Sequence, residues 1–157
     1  MQLGFSYVGP VFLLLLIVPN LWWTKNKPHD YEKYVGNENR VLRILERAGE
    51  VLVTGVALIF ADFRVGTISA RSLWLLAAVI LMILYEIYWV RYFRSEKTMR
   101  DFYSSLLGIP VAGATLPVAA FLLLGIYGKN LLMILAVVIL GIGHIGIHWQ
   151  HKRDGVS

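Results

Sequence analysis

The sequence predicts an all-α, polytopic membrane protein, a bundle of about five transmembrane helices with its N-terminus outside and its C-terminus in the cytoplasm. Three observations predict it. The 157 residues are 57% hydrophobic and only 16% charged, with a mean hydropathy of +0.63, more apolar surface than a water-soluble domain of this size can bury. Five runs come close to the roughly 20 residues that cross a hydrocarbon core about 30 Å thick. Lys and Arg fall almost entirely in alternate connecting segments, as retention of positive charge in the cytoplasm requires.

The expected spans are 5–23, 46–63, 73–92, 106–127 and 131–149 in a single domain, 1–157. The first lacks a preceding basic stretch and a small-residue cleavage site, so it reads as a retained helix and not as a signal peptide. Before the second lies the longest polar stretch, 24–45, in which Asn37 or Asn39 is placed to cap a helix that starts in the cytoplasm and continues into the membrane. In the fourth, Gly108, Ala112 and Gly113 permit close helix contact. Pro19, Pro110 and Pro117 lie inside or at the ends of spans, where a proline frees a carbonyl and kinks the helix. The fourth and fifth runs are joined by only Gly128, Lys129 and Asn130 and form a tight antiparallel pair.

Twelve basic residues follow spans one, three and five or open span two, whereas Arg64, Arg71 and Lys129 alone lie on the other side. That asymmetry sets the orientation and also accounts for the net charge of +5, so no nucleic-acid partner is expected. Cysteine is absent, which excludes disulfides, thiol catalysis and cysteine-ligated metal clusters. Nucleotide-binding and serine-hydrolase motifs are missing as well. The chain resembles small multi-pass bacterial inner-membrane proteins in general, which places it in a bacterial cytoplasmic membrane with the lipid bilayer as its first partner.

The informative residues are polar ones inside the spans. The uninterrupted apolar part of span two, 51–61, rises only about 16 Å, so Glu50 must enter the hydrocarbon and Glu46 lies at its cytoplasmic edge. A carboxylate facing lipid costs about 2.5–3.5 kcal/mol, so such a group turns inward or is neutral. Glu86, flanked by Tyr85, Tyr88 and Trp89, repeats the pattern in span three, and His144, His148 and His151 share one face of span five. Because spans three and five run opposite to span two, Glu50, Glu86 and His144 are expected to meet in the cytoplasmic leaflet as an acid/base set or proton relay. Arg43, Arg47, Asn20, Tyr85 and Trp89 would then bind the substrate. Arg43 with Glu46 and Arg47 with Glu50 are also (i, i+3) pairs, so plain interfacial ion pairing is the competing account of Glu46 and Arg47. Asp62 is expected at the outer end of span two, facing water.

His144 and His148, one turn apart, form a candidate site for a divalent metal, with Glu50 or Glu86 as a third ligand. The functional expectation is a pocket in the cytoplasmic leaflet that binds or transforms a lipophilic or amphiphilic small molecule. A small proton- or cation-linked transporter or channel, built as a homo-oligomer, is the second reading. An interaction subunit of a membrane complex is the third.

Overall fold

The computed structural model describes residues 1–36 and 38–156, the last by its backbone alone. It is all-α among these residues. The helices are α1 (Val8–Thr24), α2 (Tyr31–Tyr34), α3 (Arg40–Ile59), α4 (Ser72–Phe93), α5 (Met99–Phe102), α6 (Ala112–Gly128) and α7 (Leu131–Val156), with a 3₁₀ turn at Ala61–Phe63. Two of them, α4 and α7, are long and apolar enough to cross a membrane, while α1 and α6 are apolar but shorter.

α3 begins well before position 46 because Asn39 caps it, its side-chain oxygen accepting from the Val41 N–H at 2.8 Å and the Leu42 N–H at 3.4 Å. Asn37, the alternative cap, lies outside the described residues. α3 also stops earlier than expected, at Ile59, where Phe60 turns extended and pairs with the N-terminal segment: the Gly4 N–H donates to the Ile59 carbonyl and the Ala61 N–H to the Gln2 carbonyl, both at 2.9 Å. Asp62 does not face water. Its side chain is 8% exposed and accepts from the Gln2 N–H (2.9 Å) and from Asn130 Nδ2 (2.8 Å). Asn130 in turn accepts the Met133 N–H at the start of α7, so one carboxylate ties the N-terminus, the 3₁₀ turn and α7 together.

The fourth run departs most from expectation, since α6 begins at Ala112 and not near 106. Pro110 disfavours helical geometry at Ile109. Leu106 and Ile109 close a tight turn, and Leu107, Gly108 and Val111 all take positive φ. Arg91 holds this irregular stretch by donating to the Ser104 and Ser105 carbonyls at 3.0 and 2.9 Å. Gly108 therefore serves the turn, with nothing near it, whereas Gly113 does lie against the Tyr88 ring.

The long helices form a ring in which α3 packs on α7, α7 on α6 and α6 on α4, and α1 closes the circuit between α4 and α3. The α3–α7 contact is the most extensive. A methyl on Gly49 would collide with the Leu140 backbone, one on Gly143 with the Glu46 and Leu42 backbones, and one on Gly146 with the Leu42 side chain. α1 touches α3 closely near one end, where a methyl on Gly9 would fall on the Ala57 carbonyl. Towards its other end α1 is held mainly through α4, and the space between α1 and α3 stays open.

Replacing Gly49 or Gly143 with Ala is expected to destabilise the bundle by about 1–3 kcal/mol, because the helices must separate. Gly55→Ala, with open space around it, is expected to leave stability unchanged or raise it by up to about 1 kcal/mol. Thermal unfolding of the detergent-solubilised variants checks both arms.

Candidate functional site

Two cavities meet inside the ring. One, of about 570 Å³, lies between α1, α3, α6 and α7, and its walls are largely apolar: Leu16, Ile17, Leu21, Val53, Phe121 and Leu140. The other, of about 480 Å³, is a polar vestibule towards the pole formed by α2 and α5, lined by Lys27, Glu38, Arg43, Glu46, His148 and His151 among others. Asn20, Trp23, Arg47, Glu50 and His144 line both, so they mark the junction. Beyond the apolar cavity lies buried apolar core: Phe12 meets Phe121 edge to face at 5.8 Å, and Ala57, Leu124 and Phe63 are fully buried.

The α3–α7 contact builds the junction's chemistry. Gly143 brings the α7 backbone against that of Glu46, and the next residue, His144, places Nδ1 2.7 Å from Glu46 Oε1. His148 follows one turn on, its ring 4.5 Å from that of His144. Glu46, His144 and His148 thus offer three donor atoms that all lie within 4.8 Å of one another. His151 Nε2 lies 3.1 Å from Glu38 Oε1, in a side chain only 3% exposed.

An aromatic floor closes the vestibule. Phe102 of α5 touches Trp23, Tyr31, Trp89, Tyr92 and the His148 ring at centroid distances of 5.2–6.5 Å. Thr98 and Asp101 hold α5 in a reciprocal capping box, and Tyr88 donates to the Phe102 carbonyl at 2.6 Å. Burial, reinforced by the Glu38 and Glu46 carboxylates, pushes the Tyr31 phenol up to about 12. Burial also raises the Tyr103 phenol, whose oxygen lies 3.4 Å from His148 Nδ1, so both phenols stay protonated at physiological pH.

The residues expected to form one site are not all brought together. Glu50 and His144 line the same cavity, but Glu50 is paired with Arg47 at 3.1 Å, and the carboxylate on His144 is that of Glu46. Glu86 lines neither cavity. Tyr85, Tyr88, Trp89 and Tyr92 take the inward stripe of α4, each at most 3% exposed, and Glu86 sits about 100° round the helix from Tyr85. Its Oε1 is buried without a hydrogen-bond partner among the described residues. The third donor beside His144 and His148 is accordingly Glu46, in place of Glu50 or Glu86. Arg43, Arg47, Asn20 and Trp89 do line the vestibule. Tyr85 stands behind it: Asn20 Nδ2 donates to the Tyr85 hydroxyl at 2.7 Å and to the Leu16 carbonyl at 2.6 Å, fixing Asn20 at the junction.

The (i, i+3) spacing offers Arg43 as the competing partner of Glu46, whose carboxylate instead meets His144. The signal that it faces α7 was Gly143, a small residue beside a histidine, which lets the neighbouring helix approach. Glu38 and Tyr103 had no comparable signal, because folded-over loops bring them to the histidines.

Comparison with known proteins finds no matching family model, no matching curated protein and no matching solved structure.

Tyr85→Phe removes one of the two acceptors of Asn20, leaving the Leu16 carbonyl, and is expected to destabilise the protein by about 1 kcal/mol. Asn20→Leu in the same background should recover part of that loss, since the amide N–H left without its acceptor is then gone; a double-mutant cycle on thermal unfolding reads the coupling.

Proposed function

We propose that this chain is a multi-pass protein of a bacterial cytoplasmic membrane, with about five spans and its N-terminus outside, and that its joined cavities bind an amphiphilic small molecule drawn from the cytoplasmic leaflet. The membrane reading is supported by what the ring turns outward. α4 exposes Leu73, Leu76, Ile80, Ile83, Ile87 and Val90 along its length, and α1 exposes Leu14, Ile17, Val18, Leu21 and Trp22. Contiguous apolar faces of that extent do not persist in water. α4, at 22 residues, reaches about 33 Å, and α1 and α6, at 17 each, reach about 25 Å, which a locally thinned or tilted arrangement accommodates. The segments that carry the twelve basic residues gather at one pole, where Lys97 Nζ meets Asn26 and the His29 N–H meets the Lys97 carbonyl.

The observation that carries the ligand reading is the junction itself: a largely apolar cavity adjoins a vestibule edged with Lys27, Arg43 and Arg47. An acyl or prenyl tail suits the first and an anionic headgroup the second, since guanidinium forks bind phosphate and carboxylate. The opening between α1 and α3, rimmed by exposed Ile17, Leu21 and Arg47, supplies a lateral route from the bilayer. The packed core at the outer end favours a binding pocket over a transport path.

Because the chain has no cysteine, introduced ones report its sides cleanly. Ile68→Cys, at a position 97% exposed, is expected to react with an impermeant maleimide on intact spheroplasts, and Lys152→Cys only after permeabilisation. The opposite pattern overturns the orientation. For the pocket, native mass spectrometry of protein extracted in polymer nanodiscs is expected to find a retained amphiphile, and saturable binding of a fluorescent lysophospholipid should weaken roughly tenfold on Arg47→Gln. No retained species and no saturable binding would remove the ligand reading.

A further inference from the structure

We infer that Glu46, His144 and His148 form a binding site for one divalent transition-metal ion, of which zinc is the representative. The site is assembled from two helices. Glu46 comes from α3 and the histidines from successive turns of α7, so the donors are fixed by the most extensive helix contact among the described residues. Their atoms lie within 4.8 Å of one another, and side-chain adjustments that exchange the 2.7 Å contact between Glu46 and His144 for bonds to the ion bring each to the ~2.0–2.2 Å that imidazole nitrogen and carboxylate oxygen take about zinc.

Two imidazoles and one carboxylate select zinc and its first-row neighbours over magnesium or calcium, which prefer oxygen alone. Three protein donors leave a fourth position, and all three residues line the vestibule, so that position is open to solvent or to a ligand headgroup. The surroundings fit the role. Tyr103 holds His148 Nδ1 at 3.4 Å, the kind of outer-shell contact that orients a ligating ring. His144, His148 and His151 crowd together, with ring separations of 4.5 and 6.3 Å. Glu46 pairs with His144 and Glu38 lies beside His151, while among the described residues His148 has no carboxylate partner of its own. A cation between His144, His148 and Glu46 satisfies that arrangement, and Glu38 and Glu50 in the same vestibule offset Arg43 and Arg47. The ion does not require the amphiphile, nor the amphiphile the ion.

The test uses full-length protein in detergent with its affinity tag removed, stripped by chelator and then titrated with cobalt(II), read by visible absorption, and with zinc, read by calorimetry. One ion per chain is expected, with the intense d–d bands of a low-coordinate cobalt site. His148→Ala and Glu46→Gln should each weaken binding at least about tenfold, while Arg43→Gln leaves it intact. Tyr103→Phe keeps every ligand and is expected to weaken binding by a smaller factor, so it reports on the site even if a ligand variant does not fold. Absence of both signals in folded wild-type protein overturns the inference, as does undiminished binding by His148→Ala and Glu46→Gln. Repeating the lysophospholipid titration in excess chelator separates the two ideas: binding that survives without metal leaves the pocket standing whatever the ion does.

Discussion

The approach of α3 to α7 governs the rest of the molecule. Three glycines, Gly49, Gly143 and Gly146, let the two backbones touch over about two turns. That contact depends on dispersion and on the absence of side chains, an interaction that works as well in lipid as in water. It decides which residue faces which: with Gly143 against Glu46, His144 has nowhere to go but onto the Glu46 carboxylate. The histidine face of α7 then points into the ring and not out of it. A helix pair held further apart would leave the same residues as separate interfacial charges.

Around this pair the bundle is uneven by construction. α6 and α4 complete a well-packed wall, with Gly113 against Tyr88 and Gly125 against Met133 and Ile134. α1 is pinned at Gly9 on Ala57 near one end, and by Asn20 and Tyr85 near the other. Between those pins it stands off α3, and the apolar cavity occupies the gap. The pocket is therefore a consequence of where close contacts stop. Most of the polar groups that line it, Asn20, Thr24, Arg47, Glu50 and His144, lie at the end it shares with the vestibule, with Thr54 one turn further along α3.

The two poles are closed in different ways. At one, the buried Asp62 collects donors from the N-terminus and from Asn130, and Tyr127 accepts from the Gly66 N–H while donating to the Arg64 carbonyl. This is a polar lock made of short, local segments. At the other, α5 lays Phe102 beneath the vestibule and surrounds it with aromatic rings, while Arg91 satisfies the carbonyls of a turn that cannot be helical. The first lock lies away from the residues that line the two cavities, whereas Phe102 of the second lines the vestibule beside charged residues.

Legible along the chain were the all-α class, a helix cap at Asn37 or Asn39, the short connection between α6 and α7, and the shared face of His144, His148 and His151. Each of these follows from composition or from spacing along one helix, and such information is local. Packing between helices settled that Glu46 and not Glu50 or Glu86 meets the histidines, that Glu86 lies off the inward stripe of α4, and that the Asp62 side chain is largely covered. Depth along a helix can be counted from one end, but rotation about its axis is set by the neighbour it packs on. Where two helices meet through glycine, a difference of one residue in register or about 100° in azimuth separates a paired carboxylate from an isolated one.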